Sequence, residues 1–204
     1  MSRKPIFWYI RQLKRPVFTT HELAAVSGRS ASNVVQALNC LAKNRIITKI
    51  SRGIWADAES GKVSPYTIVP FLLPRQRAYV SFISALHLHG LVEQIPQVIT
   101  LATLSHTKTI RTAVGVFQLH RIDPRFFDGF TWYKGTGNFL IAEPEKALID
   151  SLYLSTRKKK QFAYFPELYF GGKFDLKKAM RWVEKIPNHK IRVSVAGKLK
   201  KMGK

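Results

Sequence analysis

The residues whose types and spacing could do chemistry lie in a stretch free of acid. Ser32, Asn33, Gln36, Asn39 and Lys43 fall on the side of a helical pattern away from Val34, Leu38 and Leu41. Side-chain amides can pair with adenine through two hydrogen bonds, and small hydroxyls reach either kind of base-edge group. Such a face therefore suits the major groove of duplex DNA. Arg29 and Ser30 precede it. Lys49, Ser51 and Arg52 follow at a glycine-containing turn, Ser51-Arg52-Gly53, where cations can hold phosphates.

The other constellations carry less. Lys134-Gly135-Thr136-Gly137 lacks the length and the following helix of a phosphate-binding loop, and reads as a hairpin turn. His87 and His89 are two apart, point to different faces of a helix, and have no cysteine or carboxylate at ligand spacing. Packing or a structural hydrogen bond is the expectation there, not a metal. Glu143, Glu145, Lys146 and Asp150 could suggest a metal nuclease, but Glu145 and Lys146 are adjacent and no aspartate precedes them at a suitable distance. Helix-terminus electrostatics plus a surface pair is the reading. Cys40 is the single cysteine, cannot form an internal disulfide, and is expected to be a small, partly buried side chain. No catalytic residue, metal site or cofactor follows, and the chain does not read as an enzyme.

Particular elements must position the polar face. Thr19-Thr20-His21-Glu22 has the spacing of a capping box, Leu23 and Val26 give the next helix an apolar side, and Ser27-Gly28 stops it. Ser30 can cap the helix that carries the polar face. Ile46 to Ile50 and Ile54-Trp55 flank the basic turn as a hairpin, so the outline is a winged helix-turn-helix. Before it, Ile6 to Leu13 is a helix with Phe7-Trp8-Tyr9 in the core and Arg11, Lys14 and Arg15 free for phosphate or water. Ala56 to Pro74 loosens into a connection with one short strand at Tyr66 to Val69.

Residues 1–70 are thus expected to be a winged helix-turn-helix DNA-binding domain, and residues 71–204 a second α+β domain with a basic C-terminal segment. In the second, Tyr79 to Leu91 reads as a helix. Gln97 to Thr103, Gly115 to Ile122, Phe130 to Lys134 and Asn138 to Ala142 read as strands of a small, mainly antiparallel sheet. A docking helix starts at Pro144, with Leu148, Ile149 and Leu152 inward. An amphipathic helix runs from Asp175 to Ile186, with Leu176, Ala179, Met180, Val183 and Ile186 on one stripe. Lys198 to Lys204 is a frayed tail.

Charge agrees with a polyanionic partner. The 204 residues hold 34 Lys and Arg against 12 Asp and Glu, a formal +22. Residues 1–56 have ten cations and one acid, residues 57–153 are nearly neutral, and residues 154–204 have fifteen cations and three acids. Arg157, Lys158, Lys159, Lys160, Lys177, Lys178 and Arg181 are additional candidates for polyanion contact. No apolar run is long enough for a membrane span, and the five apolar residues before Arg11 are too few for a signal sequence, so the expectation is cytoplasmic.

Four stretches carry a resemblance: ELAAVSGRSASNVVQALNCLAKNRIITKISRGIWA, YVSFISALHLHGL, the run Ile95-Pro96-Gln97-Val98-Ile99-Thr100-Leu101-Ala102-Thr103, and IAEPEKALIDSLYL. In this order, over roughly residues 5 to 155, the chain resembles the AbiEi family. These are antitoxins and transcriptional regulators of bacterial abortive-infection (type IV) toxin–antitoxin systems. The resemblance implies an N-terminal domain that binds double-stranded operator DNA and represses its own operon, in a nucleoid-associated setting. It implies a C-terminal domain that counters a nucleotidyltransferase-like toxin without a tight complex. Two alternatives stand beside it: a nucleic-acid-acting enzyme with a winged-helix targeting domain, and a basic RNA- or ribosome-binding protein.

Overall fold

The computed structural model describes residues 4–61, 63–74, 76–135, 137–156, 166–171 and 174–202. It is mixed α+β and divides into two compact units, Met1–Leu72 with Arg111–Gly115, and Leu73–Ile110 with Val116–Lys204.

The first unit opens with α1 (Ile6–Gln12), β1 (Val17–Thr19), α2 (Thr20–Ser27) and α3 (Ala31–Lys43), then β2 (Ile47–Ser51) and β3 (Ile54–Asp57). The capping box at Thr19 is present. The Glu22 amide donates to Thr19 Oγ1 at 3.2 Å and the Thr19 amide to Glu22 Oε2 at 2.8 Å, so two helix-end donors are satisfied reciprocally. Gly28 ends α2 at φ +61°, where a side chain would be strained, and Ser30 Oγ then accepts the Asn33 amide at 3.3 Å to start α3. β3 lies between β1 and β2 in an antiparallel sheet, with Phe18 and Lys49 both opposite Trp55. Ile6, Ile10, Phe18, Leu23, Val34, Leu38, Ile47 and Trp55 form one core, and the Trp55 indole donates to Thr20 Oγ1 at 3.0 Å. Fully burying an aliphatic or phenylalanine side chain of this kind contributes roughly 1.5–3 kcal/mol.

Several expectations change here. The isoleucines flanking Phe7-Trp8-Tyr9 are buried, while Trp8 is exposed beneath the Lys4 ammonium, 3.9 Å from its ring. The strand expected at Tyr66 to Val69 is helical instead. Pro65–Ile68 forms a 3-10 turn that runs into α4 (Val69–Leu72), because Pro65 at the first position favours a helix start. Residues Arg111–Gly115 join this unit, where the Ala113 amide donates to the Ile50 carbonyl at 3.0 Å.

The second unit holds β4 (Ala78–Val80), α5 (Phe82–Leu88), β5 (Ile99–Thr103), β6 (Lys108–Thr112) and β7 (Gly115–Arg121) apart from their ends within Arg111–Gly115, then β8 (Phe130–Trp132), β9 (Leu140–Ala142), α6 (Pro144–Ser155), α7 (Leu176–Glu184) and α8 (His189–Met202). Its sheet has six strands in the order β6-β7-β5-β4-β9-β8 and is mixed. β5 runs parallel to β7, and β4 parallel to β9, while β4 with β5 and β8 with β9 are antiparallel. The expected small and mainly antiparallel sheet was too simple: local turn signals reveal hairpins, but parallel neighbours are joined through distant chain.

Tyr79 and Val80 belong to β4 and not to a helix, which begins only after Ser81. α6 is buried nearly all round, with α5, α7 and α8 against it. The buried apolar residues of α7 are Ala179, Trp182 and Val183, with Ile186 buried just past its end and Leu176 45% exposed. Of the expected frayed tail, residues 198–202 form the end of α8, with Val195 and Leu199 buried, and residues 203–204 lie outside the described residues. Among the described residues no helix is long and apolar enough to cross a membrane.

Candidate functional site

Val34 and Leu38 face the core, so α3 must turn its other side outward. Ser32, Asn33, Gln36, Asn39 and Lys43 are all exposed there, and so is Cys40, which had been expected to be partly buried. Ser30 is occupied as the cap of α3, and the Asn33 backbone is the group it holds. At the hairpin turn, Lys49 and Arg52 are exposed, Ser51 is half-buried, and Gly53 has φ +76°. Lys49 Nζ stands 5.6 Å from the centre of the Trp55 ring. Arg29 is less free than its position suggests: its guanidinium donates to the Lys4 carbonyl at 2.6 Å.

The acids of this unit are the deciding electrostatic feature. Residues 1–72 and 111–115 contain three, Glu22, Asp57 and Glu59, and each is ion-paired with an arginine. Arg11 reaches Asp57 at 3.0 Å and Glu59 at 2.5 Å, and Arg15 binds Glu22. Arg11 and Arg15 are therefore ion-paired, contrary to the expectation that they were free; Lys14 lines a cleft beside them with Ile10, Pro16 and Asp57. Burial acts to raise the Glu22 carboxyl, but hydrogen bonds from Arg15 and Thr19 outweigh it and hold the group below the usual glutamate range. Among the described residues of this unit no carboxylate is without a cationic partner.

In the second unit the cluster around α6 is not what its sequence suggested. Lys146 and Asp150 are an ion pair with both side chains 0% exposed, not a surface pair. Tyr79 Oη and Ser81 Oγ donate to Asp150 Oδ2 at 3.0 and 2.7 Å, and Lys146 Nζ sits 3.7 Å from the Phe126 ring centre. Burial pushes the Asp150 carboxyl up and the Lys146 ammonium down, each against the attraction of its partner. The Tyr79 hydroxyl lies well above its ordinary range through burial and the neighbouring Asp150. The network ties β4 to α6 and is sealed from solvent. No local sequence signal marks it, because the i, i+4 spacing of Lys146 and Asp150 fits an exposed pair equally well.

Glu145 is also buried. Its Oε1 accepts the Asp175 amide at 3.0 Å, and Lys178 Nζ lies 3.1 Å from Glu143 and 3.3 Å from Glu145. Lys178 is thereby neutralised, which corrects its place among the free cations, whereas Lys177 and Arg181 are exposed on α7. Arg157, Lys158, Lys159 and Lys160 lie outside the described residues. His87 Nδ1 is 3.0 Å from the Val92 carbonyl and His89 Nε2 is 2.7 Å from the Ala142 carbonyl, so each ring is engaged by a backbone carbonyl, the first local and the second distant in sequence. Among the described residues no group of three or more His, Cys, Asp or Glu is placed to hold a metal.

Compared with known proteins, the chain matches no family profile and no curated sequence.

Proposed function

We propose that the first unit is a winged helix-turn-helix that binds duplex DNA, with α3 in the major groove and the Ser51–Ile54 turn as the wing. The observation that carries this is the exposed, acid-free face of α3 in a unit whose three acids are all bound to arginine. Asn33, Gln36 and Asn39 read base edges, Ser32 and Lys43 assist them, and Lys49, Arg52 and Arg29 position phosphates, Arg29 after giving up its bond to the Lys4 carbonyl.

On this reading the chain is a transcriptional repressor and antitoxin of a type IV, AbiE-like system, and not an enzyme. What supports the antitoxin part is the resemblance of YVSFISALHLHGL and IAEPEKALIDSLYL in the second unit, in matching order with the first. The second unit then opposes a nucleotidyltransferase-like toxin without forming a tight complex.

The test uses the full chain and a random-sequence duplex pool. Selection should yield a preferred site, and Asn33→Ala, Gln36→Ala or Asn39→Ala should each weaken that site by about 1–3 kcal/mol while leaving scrambled duplex unchanged. Equal losses on both duplexes refute base reading. Preference for structured RNA, or metal-dependent turnover of nucleic acid, refutes the whole assignment. Growth rescue beside a nucleotidyltransferase toxin encoded next to this chain tests the antitoxin half.

A further inference from the structure

α3 exposes one large apolar side chain, Val35, at 37%. Val34 and Leu38 belong to the core, and Ala37, Leu41 and Ala42 are partly buried against it, whereas Val35 is more exposed than any of these. A β-branched residue on the solvent side of a helix also lowers helix propensity relative to alanine. Val35 lies one helical turn from Asn39 (i, i+4) and from Ser32 (i, i−3), so the three share a stripe at the edge of the polar face.

In the major groove the apolar feature is the C5 methyl of thymine. An amide that pairs with adenine brings an A·T pair, and with it that methyl, within reach of the same stripe. We infer that Val35 packs on a thymine methyl beside an adenine read by Asn39, which makes it a specificity-determining residue. This rests on the duplex-binding reading above and adds the composition of the site: an A·T step under the middle of α3.

The experiment takes the duplex selected from the random pool by the full-length wild-type chain and replaces each thymine in turn by deoxyuracil, which lacks only the methyl. Both duplex series are titrated with wild type and Val35→Ala, with circular dichroism to confirm equal helix content. At one position deoxyuracil should weaken wild-type binding about fourfold, the effect of one buried methyl-sized group. It should leave Val35→Ala unchanged, and Val35→Ala on the thymine duplex should match wild type on the deoxyuracil duplex. Val35→Thr, which keeps one methyl, should retain part of the discrimination. A selected site without thymine overturns the inference, and so do equal deoxyuracil penalties in wild type and Val35→Ala. A wild type that selects no sequence overturns it together with the duplex-binding reading, whereas equal penalties on a well-selected site overturn Val35 alone.

Discussion

Replacing Lys146 by Met tests the sealed ion pair. Methionine fills similar space against Phe126 but removes the cation, so Asp150 is left fully buried with only the Tyr79 and Ser81 hydroxyls donating to it. The carboxylate must then stay charged without a partner or take up a proton. Breaking a buried pair in this way costs about 3–5 kcal/mol. Protonation caps the cost: from an unfolded aspartate pKa of about 3.9 to pH 7, proton uptake costs about 4 kcal/mol at about 1.36 kcal/mol per unit.

The sign follows from linkage. The folded variant holds a proton that the unfolded chain has lost, so its stability falls as pH rises above about 4. The Lys146→Met penalty should therefore be about 4 kcal/mol at pH 7 and shrink to roughly 1.5 kcal/mol at pH 5. Hydrogen exchange of the α6 amides, Ala147 to Ser155, reads this locally and does not require the whole chain to unfold in two states. Adding Asp150→Asn should flatten the pH dependence, because the carboxyl that takes up the proton is gone. A Lys146→Met penalty below about 1 kcal/mol, or one that is the same at pH 5 and pH 7, would refute the reasoning.

Three further outcomes are expected. Gly129→Ala should destabilise the second unit by more than about 1 kcal/mol in urea denaturation, because Gly129 has φ +77° and a Cβ there would meet the Trp182 ring at 2.4 Å. The Glu22 carboxyl, held low by Arg15 and Thr19, contributes stability that is present above its unfolded pKa of about 4.3 and lost as pH falls below it; Glu22→Gln should flatten that acid limb in α2 hydrogen exchange. Lys49→Ala and Arg52→Ala should each weaken all duplexes alike and reduce the slope of log affinity against log salt by roughly one unit, and an unchanged slope for both would place the phosphate track elsewhere.

The sequence by itself determined what depends on near neighbours. Thr19 and Glu22 specify a capping box, Gly28 a left-handed stop, Ser30 a cap, and the spacing of Val34 and Leu38 the inward side of α3, because each acts within one or two helical turns. The hairpins β2–β3 and β8–β9 were legible for the same reason, since a turn fixes the pairing of the strands it joins.

Tertiary structure decided the rest. The third strand of the first sheet, β1, is three residues long and carries no alternation to read; it exists because β3 offers it an edge. The Tyr79-Val80 segment of β4 reads as helix alone but is a strand between β5 and β9, one antiparallel to it and one parallel. Which cations are free was equally invisible. Arg11, Arg15 and Lys178 look like their unpaired neighbours, and only the folded chain brings Asp57, Glu22 and Glu143 beside them. Lys146 and Asp150 looked like a surface pair because i, i+4 spacing tells how two charges face each other along a helix. It says nothing of α5, α7 and α8, which close over that helix and take both charges out of water.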